Sequence, residues 1–528
     1  MLIVDRRDDT IGLGRKKRGF MAGTPVAKTT VSKSQVKLGV FTLAMINVAA
    51  IVSLRGLPSE AVYGLSSIFY YVFAAIFFLI PTSLVAAELA TGWPENGGVF
   101  RWVGEAFGAR AGFLAIFLQW VESTIWFPTV LTFAAVSIAF IRPNQKWDEA
   151  LANNSVYTVI VVLAVYWAAT FLNLQGMKLS GAISKWGTIF GTLVPGGLII
   201  VLAFLYMVQR RPVQIPLNWA GVFPSHANFG SLVLAASIFL AYAGMEMSAV
   251  HVKDVDNPQR NYPLAILIAS VITVAVFVFG TLAIAFIIPQ SQINLVTSLL
   301  VSYHDLFRVF HLQFLAPVVA ILLAVGVFAG VSTWVAGPSK GILAVGKAGY
   351  LPKVFQKTNK NGVQVNILWM QAAIVTVLAV MFVVLPSVQA AYQILSQLTV
   401  TLYLIMYLLM FAAAIYLRHS QPSRKRTFKV PGGLIGMWAI GGAGLLGSLL
   451  AFVLSFVPPS QIAVGSPAKY IGILVVGNLI VVAIPFIIFS LRKPSWQSTS
   501  VEDAMEPFSW EKAPVTEVVP ETKELICQ

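Results

Sequence analysis

Twelve mostly apolar runs of about twenty residues recur between Val36 and Leu491, and no other feature of this 528-residue chain restricts its fold so tightly. A run of that length crosses the roughly 30 Å hydrocarbon core of a bilayer as an α-helix. Inside that core every backbone N–H and C=O needs an internal partner, so a spanning segment is a helix or a strand of a closed barrel. The runs lack the two-residue alternation of barrel strands. The sequence therefore predicts an all-α membrane protein with twelve transmembrane helices, at 37–55, 65–88, 112–141, 155–174, 186–207, 230–252, 262–288, 315–337, 366–386, 392–417, 436–457 and 468–491. Only 11% of the residues are charged, against roughly 25% in a soluble domain.

The formal charge of +15 would suit a nucleic-acid binder if it were clustered on a folded surface, but the charges sit in the connections between spans. With the N-terminus placed inside, the great majority of the 36 lysines and arginines fall on the inner side, and that asymmetry sets orientation. An even number of spans then puts both termini in the cytoplasm of a bacterial-type inner (plasma) membrane. Residues 1–36 read as a basic arm, with Arg6, Arg7, Arg15, Lys16, Lys17 and Arg18 suited to anionic head groups rather than to nucleic acid. Residues 37–491 form the membrane domain and 492–528 an acidic tail. Cys527 is the only cysteine, so no internal disulfide forms. His226, His251, His304, His311 and His419 are scattered, and no metal-ligand spacing, phosphate loop or nucleophile motif accompanies them. The expectation is neither an enzyme nor a metal or cofactor binder. Oligomeric state is open.

Two spans carry polar or backbone-exposing residues near their midpoints: Ala44-Met45-Ile46-Asn47-Val48-Ala49-Ala50 in the first and Tyr242-Ala243-Gly244-Met245-Glu246-Met247-Ser248 in the sixth. Interruptions at matching positions of two halves are the mark of inverted-repeat transporters, whose broken helices expose their ends to a solute. A half-helix N-terminus suits a carboxylate and a C-terminal end suits an ammonium, so an amino acid would use both. Plain packing of small residues between helices is the competing account.

Glu246 is the most informative single residue, because a mid-span carboxylate is costly unless it faces a cavity, a partner or a proton path. A structural carboxylate capping a broken helix is the blander reading. Glu122 in the third span and Arg55 at the end of the first form a possible charge pair, or Arg55 serves an outer vestibule or anchors at the interface. Trp334, Tyr403 and Tyr407, near Ser332, Thr333, Ser396, Gln397, Thr399 and Thr401, offer aromatic walls that can hold an ammonium. Interface anchoring is the alternative for Trp334.

Several strings in order along the chain carry a family resemblance. Gly244-Met245-Glu246 followed by Asp254-Val255-Asp256-Asn257-Pro258-Gln259-Arg260-Asn261-Tyr262-Pro263 closely resembles the corresponding region of the amino acid–polyamine–organocation transporters, as does Pro94-Glu95-Asn96-Gly97-Gly98-Val99-Phe100-Arg101-Trp102-Val103 after the second span. Trp334-Val335-Ala336-Gly337-Pro338-Ser339-Lys340-Gly341, Asn359-Lys360-Asn361-Gly362-Val363 and Arg426-Thr427-Phe428-Lys429-Val430-Pro431-Gly432-Gly433 look like the glutamate/γ-aminobutyrate antiporter branch. The resemblance covers about 37 to 492. It implies a leucine-transporter-like fold of two inverted five-helix repeats plus two helices, and amino-acid exchange by alternating access. It also implies a substrate site at Asn47, Val48, Ala49, Tyr242, Gly244, Glu246, Trp334, Tyr403 and Tyr407. A proton-coupled amino-acid symporter, with Glu246 as a coupling carboxylate, is the alternative, and a channel the remote one. Three features depart from that branch. Gly330 stands where its members have an acid, and an aliphatic stretch around Val52 stands where they have a tyrosine; both point to a related amino-acid pair. The tail, which in that branch can plug the inner vestibule with pH, has no histidine here and could titrate only through carboxylates such as Glu506 and Glu511.

Overall fold

The computed structural model describes residues 39–94, 97–142, 144–176, 186–187, 189–224, 236–248, 256–459, 466–499 and 505–511. The basic arm, most of the acidic tail, Cys527 and the Asp254–Val255 part of the sixth-span loop lie outside them. Among the described residues the chain is helical, and its one β-type pairing is an isolated bridge between Thr358 and Gln364.

The first predicted span, 37–55, holds α1 (Val40–Ile51), with a second short helix, α2 (Leu57–Ala61), beyond its expected end, and the sixth is split into α8 (Ala236–Tyr242) and α9 (Met245–Ser248). Ten other helices are long and apolar enough to cross a membrane. They are α3 (Gly64–Gly92), α5 (Ala109–Ala139), α6 (Ser155–Leu174), α7 (Ile189–Val208), α10 (Arg260–Ile287), α11 (Gln313–Tyr350), α12 (Val365–Val384), α13 (Val388–Ser420), α14 (Gly433–Ser455) and α15 (Pro467–Ser490). A short helix, α4 (Val99–Phe107), connects α3 to α5. Each of the ten overlaps one of the expected spans. The main change of length is α11, which runs on to Tyr350 instead of stopping near 337, so Trp334 sits well inside the helix instead of at its end.

Burial sorts these helices. Pro467–Ser490 is only 17% buried, whereas Ala109–Ala139 is 89% buried, so α15 faces lipid and α5 is the centre of the bundle. Helices α11 and α13 pack directly on α5. Close approach is set by glycine where two backbones meet: a Cβ on Gly191 of α7 would fall 2.3 Å from Gly326 Cα of α11, a crossing open only to the smallest residue.

One end of the bundle is tied by charge. Glu88 of α3 pairs with Arg418 and, at 3.3 Å, with Arg426, and accepts the Val430 amide at 2.7 Å. The described part of the tail packs at this end as well. Arg101 of α4 donates to the carbonyls of Glu506 (2.7 Å) and Pro507 (3.2 Å), Glu105 accepts the Ser509 amide at 3.2 Å, and Phe508 is buried against Phe100.

Candidate functional site

The two interruptions build the site. Helix α1 ends at Ile51; Val52 (φ −65°, ψ 115°) and Ser53 (φ −135°, ψ 132°) are extended, and helical turns resume at Leu54. This corrects the expected position of the first break. Asn47 and Val48 lie within α1, buried, and Asn47 Nδ2 donates to its own helix at Leu43 O (3.0 Å). Its Oδ1 is buried without a hydrogen-bond partner. Ala49 is in the same helix, with its side chain outside the described set. Pro58 falls in the first turn of α2, where its missing N–H is no loss.

The sixth-span break falls where the sequence indicated. Gly244 has φ +109°, a conformation that costs glycine little and other residues much, and α9 restarts directly after it. Its amide donates to Tyr407 Oη at 2.9 Å, and the Tyr407 hydroxyl donates in turn to Glu246 Oε2 at 2.5 Å. Tyr403 donates to Glu246 Oε1 at 2.5 Å and Gln119 Nε2 to the same oxygen at 3.3 Å. Glu246 thus has both oxygens occupied and faces the bundle interior, 2% exposed. Tyr242 is buried alongside, its hydroxyl donating to Tyr71 O at 3.2 Å.

Between the breaks lies a cavity of about 140 Å³, space for roughly ten water-sized groups. Its wall includes Val52, Ser53, Arg55, Glu122, Ala243, Trp334 and Tyr403, and also Gly330, where a Cβ would meet open space. Trp334 reaches across α11 toward the broken helix: a Cβ on Gly244 would stand 3.3 Å from its ring. Of the residues singled out in the sequence, Arg55, Glu122, Trp334 and Tyr403 therefore border the cavity. Asn47, Val48, Tyr242, Gly244, Glu246 and Tyr407 are not among its lining residues.

No ion pair joins Arg55 to Glu122. Arg55 Nη1 donates to Thr129 Oγ1 at 2.7 Å, and the guanidinium carbon lies 5.7 Å from the Trp126 ring and 5.6 Å from that of Tyr392. Among the residues that line the cavity, Arg55 Nε, Glu122 Oε1 and Ser396 Oγ are buried without a hydrogen-bond partner. Buried polar groups are nearly always paired, so these three stand out in this region.

Sequence reasoning missed Tyr392 and Gln393, although Tyr392, Ser396 and Tyr403 recur at helical spacing on one face of α13. It also missed Glu60, read as outer loop. Glu60 is 2% exposed in α2 and accepts from Ser237 Oγ of α8 at 2.6 Å, joining the two broken helices beside the cavity.

Comparison with known proteins gives a consistent set of similarities. Residues 38–479 match the family model described as amino acid permease. The chain is 41% identical over 460 residues to an uncharacterized transporter of Legionella pneumophila, covering 87% of this chain and 97% of that one. It is 33% identical over 474 residues to a glutamate/gamma-aminobutyrate antiporter of Lactococcus lactis, covering 89% and 93%. It is also 23% identical over 401 residues to a probable agmatine/putrescine antiporter of the same organism, covering 75% and 83%.

Proposed function

The chain belongs to the amino acid permease family, and from that premise we propose that it exchanges amino acids of the glutamate/γ-aminobutyrate kind across a bacterial inner membrane by alternating access. It is an integral membrane protein and an antiporter-type transporter. The finer architecture we propose is twelve spans, arranged as two inverted five-helix repeats plus two helices, with both termini in the cytoplasm. The pairing of α1–α2 with α8–α9 around one cavity supports it, as does the concentration of lysine and arginine on one side.

The observation that carries the reading is the cavity between two broken helices, with Arg55, Glu122, Trp334 and Tyr403 among its lining residues. Gly330 and Val52, the two positions that differ from the antiporter branch, both border the cavity, which supports a related substrate pair over an identical one. Glu246 belongs to the frame of this site: it holds the break at Gly244 in register with α13 and does not touch the solute.

Purified protein in liposomes tests the proposal. Uptake of labelled γ-aminobutyrate or glutamate is expected to depend on amino acid inside the vesicle, to saturate, and to be indifferent to an imposed proton gradient once exchange is supplied. Uptake into empty vesicles that follows the proton gradient would establish symport and remove the exchanger model.

A further inference from the structure

The connection from α13 to α14 carries five cations between Arg418 and Gly433, namely Arg418, Arg424, Lys425, Arg426 and Lys429, and no acid. Its arginines and lysines are used differently. Arg418 and Arg426 both pair with Glu88 of α3, and Arg424 Nε donates to Gly92 O at 2.8 Å. Lys425 and Lys429 are exposed, and among the described residues neither forms an ion pair. We propose that this corner binds an anionic phospholipid, with Lys425 and Lys429 at its phosphate and the first turns of α14 along its acyl chains. Lipid binding here is independent of which solute is exchanged.

The corner is held in place from within. Arg418 Nη2 donates across it to Val430 O (3.3 Å) and Gly433 O (3.1 Å), which ties the last turn of α13 to the first of α14. Arg426 Nη2 donates to Leu417 O at 3.1 Å and to Gln421 O at 3.0 Å, and its guanidinium carbon lies 5.1 Å from the Trp93 ring. The two residues that flank Lys425, and Val430 beside Lys429, are therefore anchored, while both lysine side chains stay exposed. Three forked guanidiniums serve the protein, and two ammonium groups remain for something outside it.

The surface next to these lysines is apolar. Ile435, Trp438, Leu446, Leu449 and Val453 recur at helical spacing along α14 and are all exposed, so one face of this helix meets acyl chains along most of its length. Trp438 Nε1 donates to Nε2 of the exposed His419 at 2.9 Å, which holds the indole against α13. A tryptophan at the end of such a stripe marks the depth of the head groups. Unpaired lysines in the connection and an apolar stripe starting directly after it match the two parts of an anionic lipid. A zwitterionic lipid offers less, because its own cation offsets its phosphate. A soluble phosphate would use the lysines and leave the stripe without a role.

Bromine on lipid chains quenches tryptophan by contact, and the difference between wild type and Trp438→Phe isolates Trp438 among the 13 tryptophans. The full chain would be reconstituted in phosphatidylcholine membranes with brominated phosphatidylglycerol or brominated phosphatidylcholine as a minor component. Quenching at Trp438 is expected to favour phosphatidylglycerol, by about fivefold in apparent affinity for each lysine, and the preference should shrink as salt is raised. Lys425→Gln and Lys429→Gln should each remove one such factor, and the double variant should bind the two lipids alike. Lys425→Arg combined with Lys429→Arg should keep the preference. Equal quenching by both lipids in the wild type, or a double glutamine variant with the wild-type preference, overturns the proposal. Displacement of phosphatidylglycerol by glycerol phosphate would make this a site for a soluble phosphate. A preference that emerges only in a chain ended after Glu511 would give the lysines to the acidic tail, and either result removes the lipid assignment.

Discussion

Glu246 and Glu122 are both mid-membrane carboxylates, each 2% exposed, yet they have opposite surroundings. Glu246 is enclosed by Tyr403, Tyr407 and Gln119, while Glu122 keeps an oxygen without a partner at the edge of a cavity. Burial and charge alone do not separate a framework acid from a binding one. Hydrogen-bond satisfaction does: the first has both oxygens occupied within the protein, and the second has one left over.

The widest test of this contrast removes each acid. Glu246→Ala strands two tyrosine hydroxyls and a glutamine amide in the interior, and should cost about 3 kcal/mol or more in thermal unfolding of the detergent-solubilised protein. Glu122→Ala should cost less than about 1 kcal/mol. Equal losses would break the distinction. A smaller effect is expected at the break itself. Gly244→Ala forces a side chain into φ +109° and to 3.3 Å from Trp334, for a loss of about 1–3 kcal/mol and a clear fall in exchange rate. A rate unchanged from wild type would mean that this geometry is not needed for transport.

The smallest effect concerns a third carboxylate, outside the spans. Burial pushes Glu105 up, but hydrogen bonds from Ser509 and Gln421 and the charge of Arg101 outweigh it and hold it below its ordinary value of 4.5. A lowered carboxylate stabilises its contacts above the ordinary value and loses that contribution as pH falls through the lowered one. The tail should therefore stay docked on α4 from neutral pH down to about 5, and become more open to proteolysis only below 4.5. Glu105→Gln should expose it at every pH. Tail cleavage that is already pH-dependent near 7 would assign the docking to other groups.

Much of the helical framework was readable, because lipid leaves the chain few choices and apolar run length is a strong signal; Ser155–Leu174 lies at its expected bounds. The sixth-span break was readable for a local reason, since Gly244 permits a backbone that its neighbours resist. The first was misplaced by several residues. Asn47 drew attention as a polar residue in an apolar run, yet an asparagine can bond its own helix, as its Nδ2 does at Leu43 O. Site membership was the least accessible level. Whether Arg55 meets Glu122, and whether Gln393 or Ser396 has a partner, depends on how α2, α5 and α13 rotate against one another, which no single helix pattern encodes.

The Tyr407 hydroxyl has a mechanical consequence. One oxygen accepts from the amide at the kink and donates to the acid two residues beyond it, so the kink and the first turn of α9 are latched to the same rung of α13. Twisting one half against the other would release the two bonds together instead of one at a time. The joint then acts as a detent with discrete positions, a mechanical property suited to a carrier that must dwell facing one side before it flips to the other.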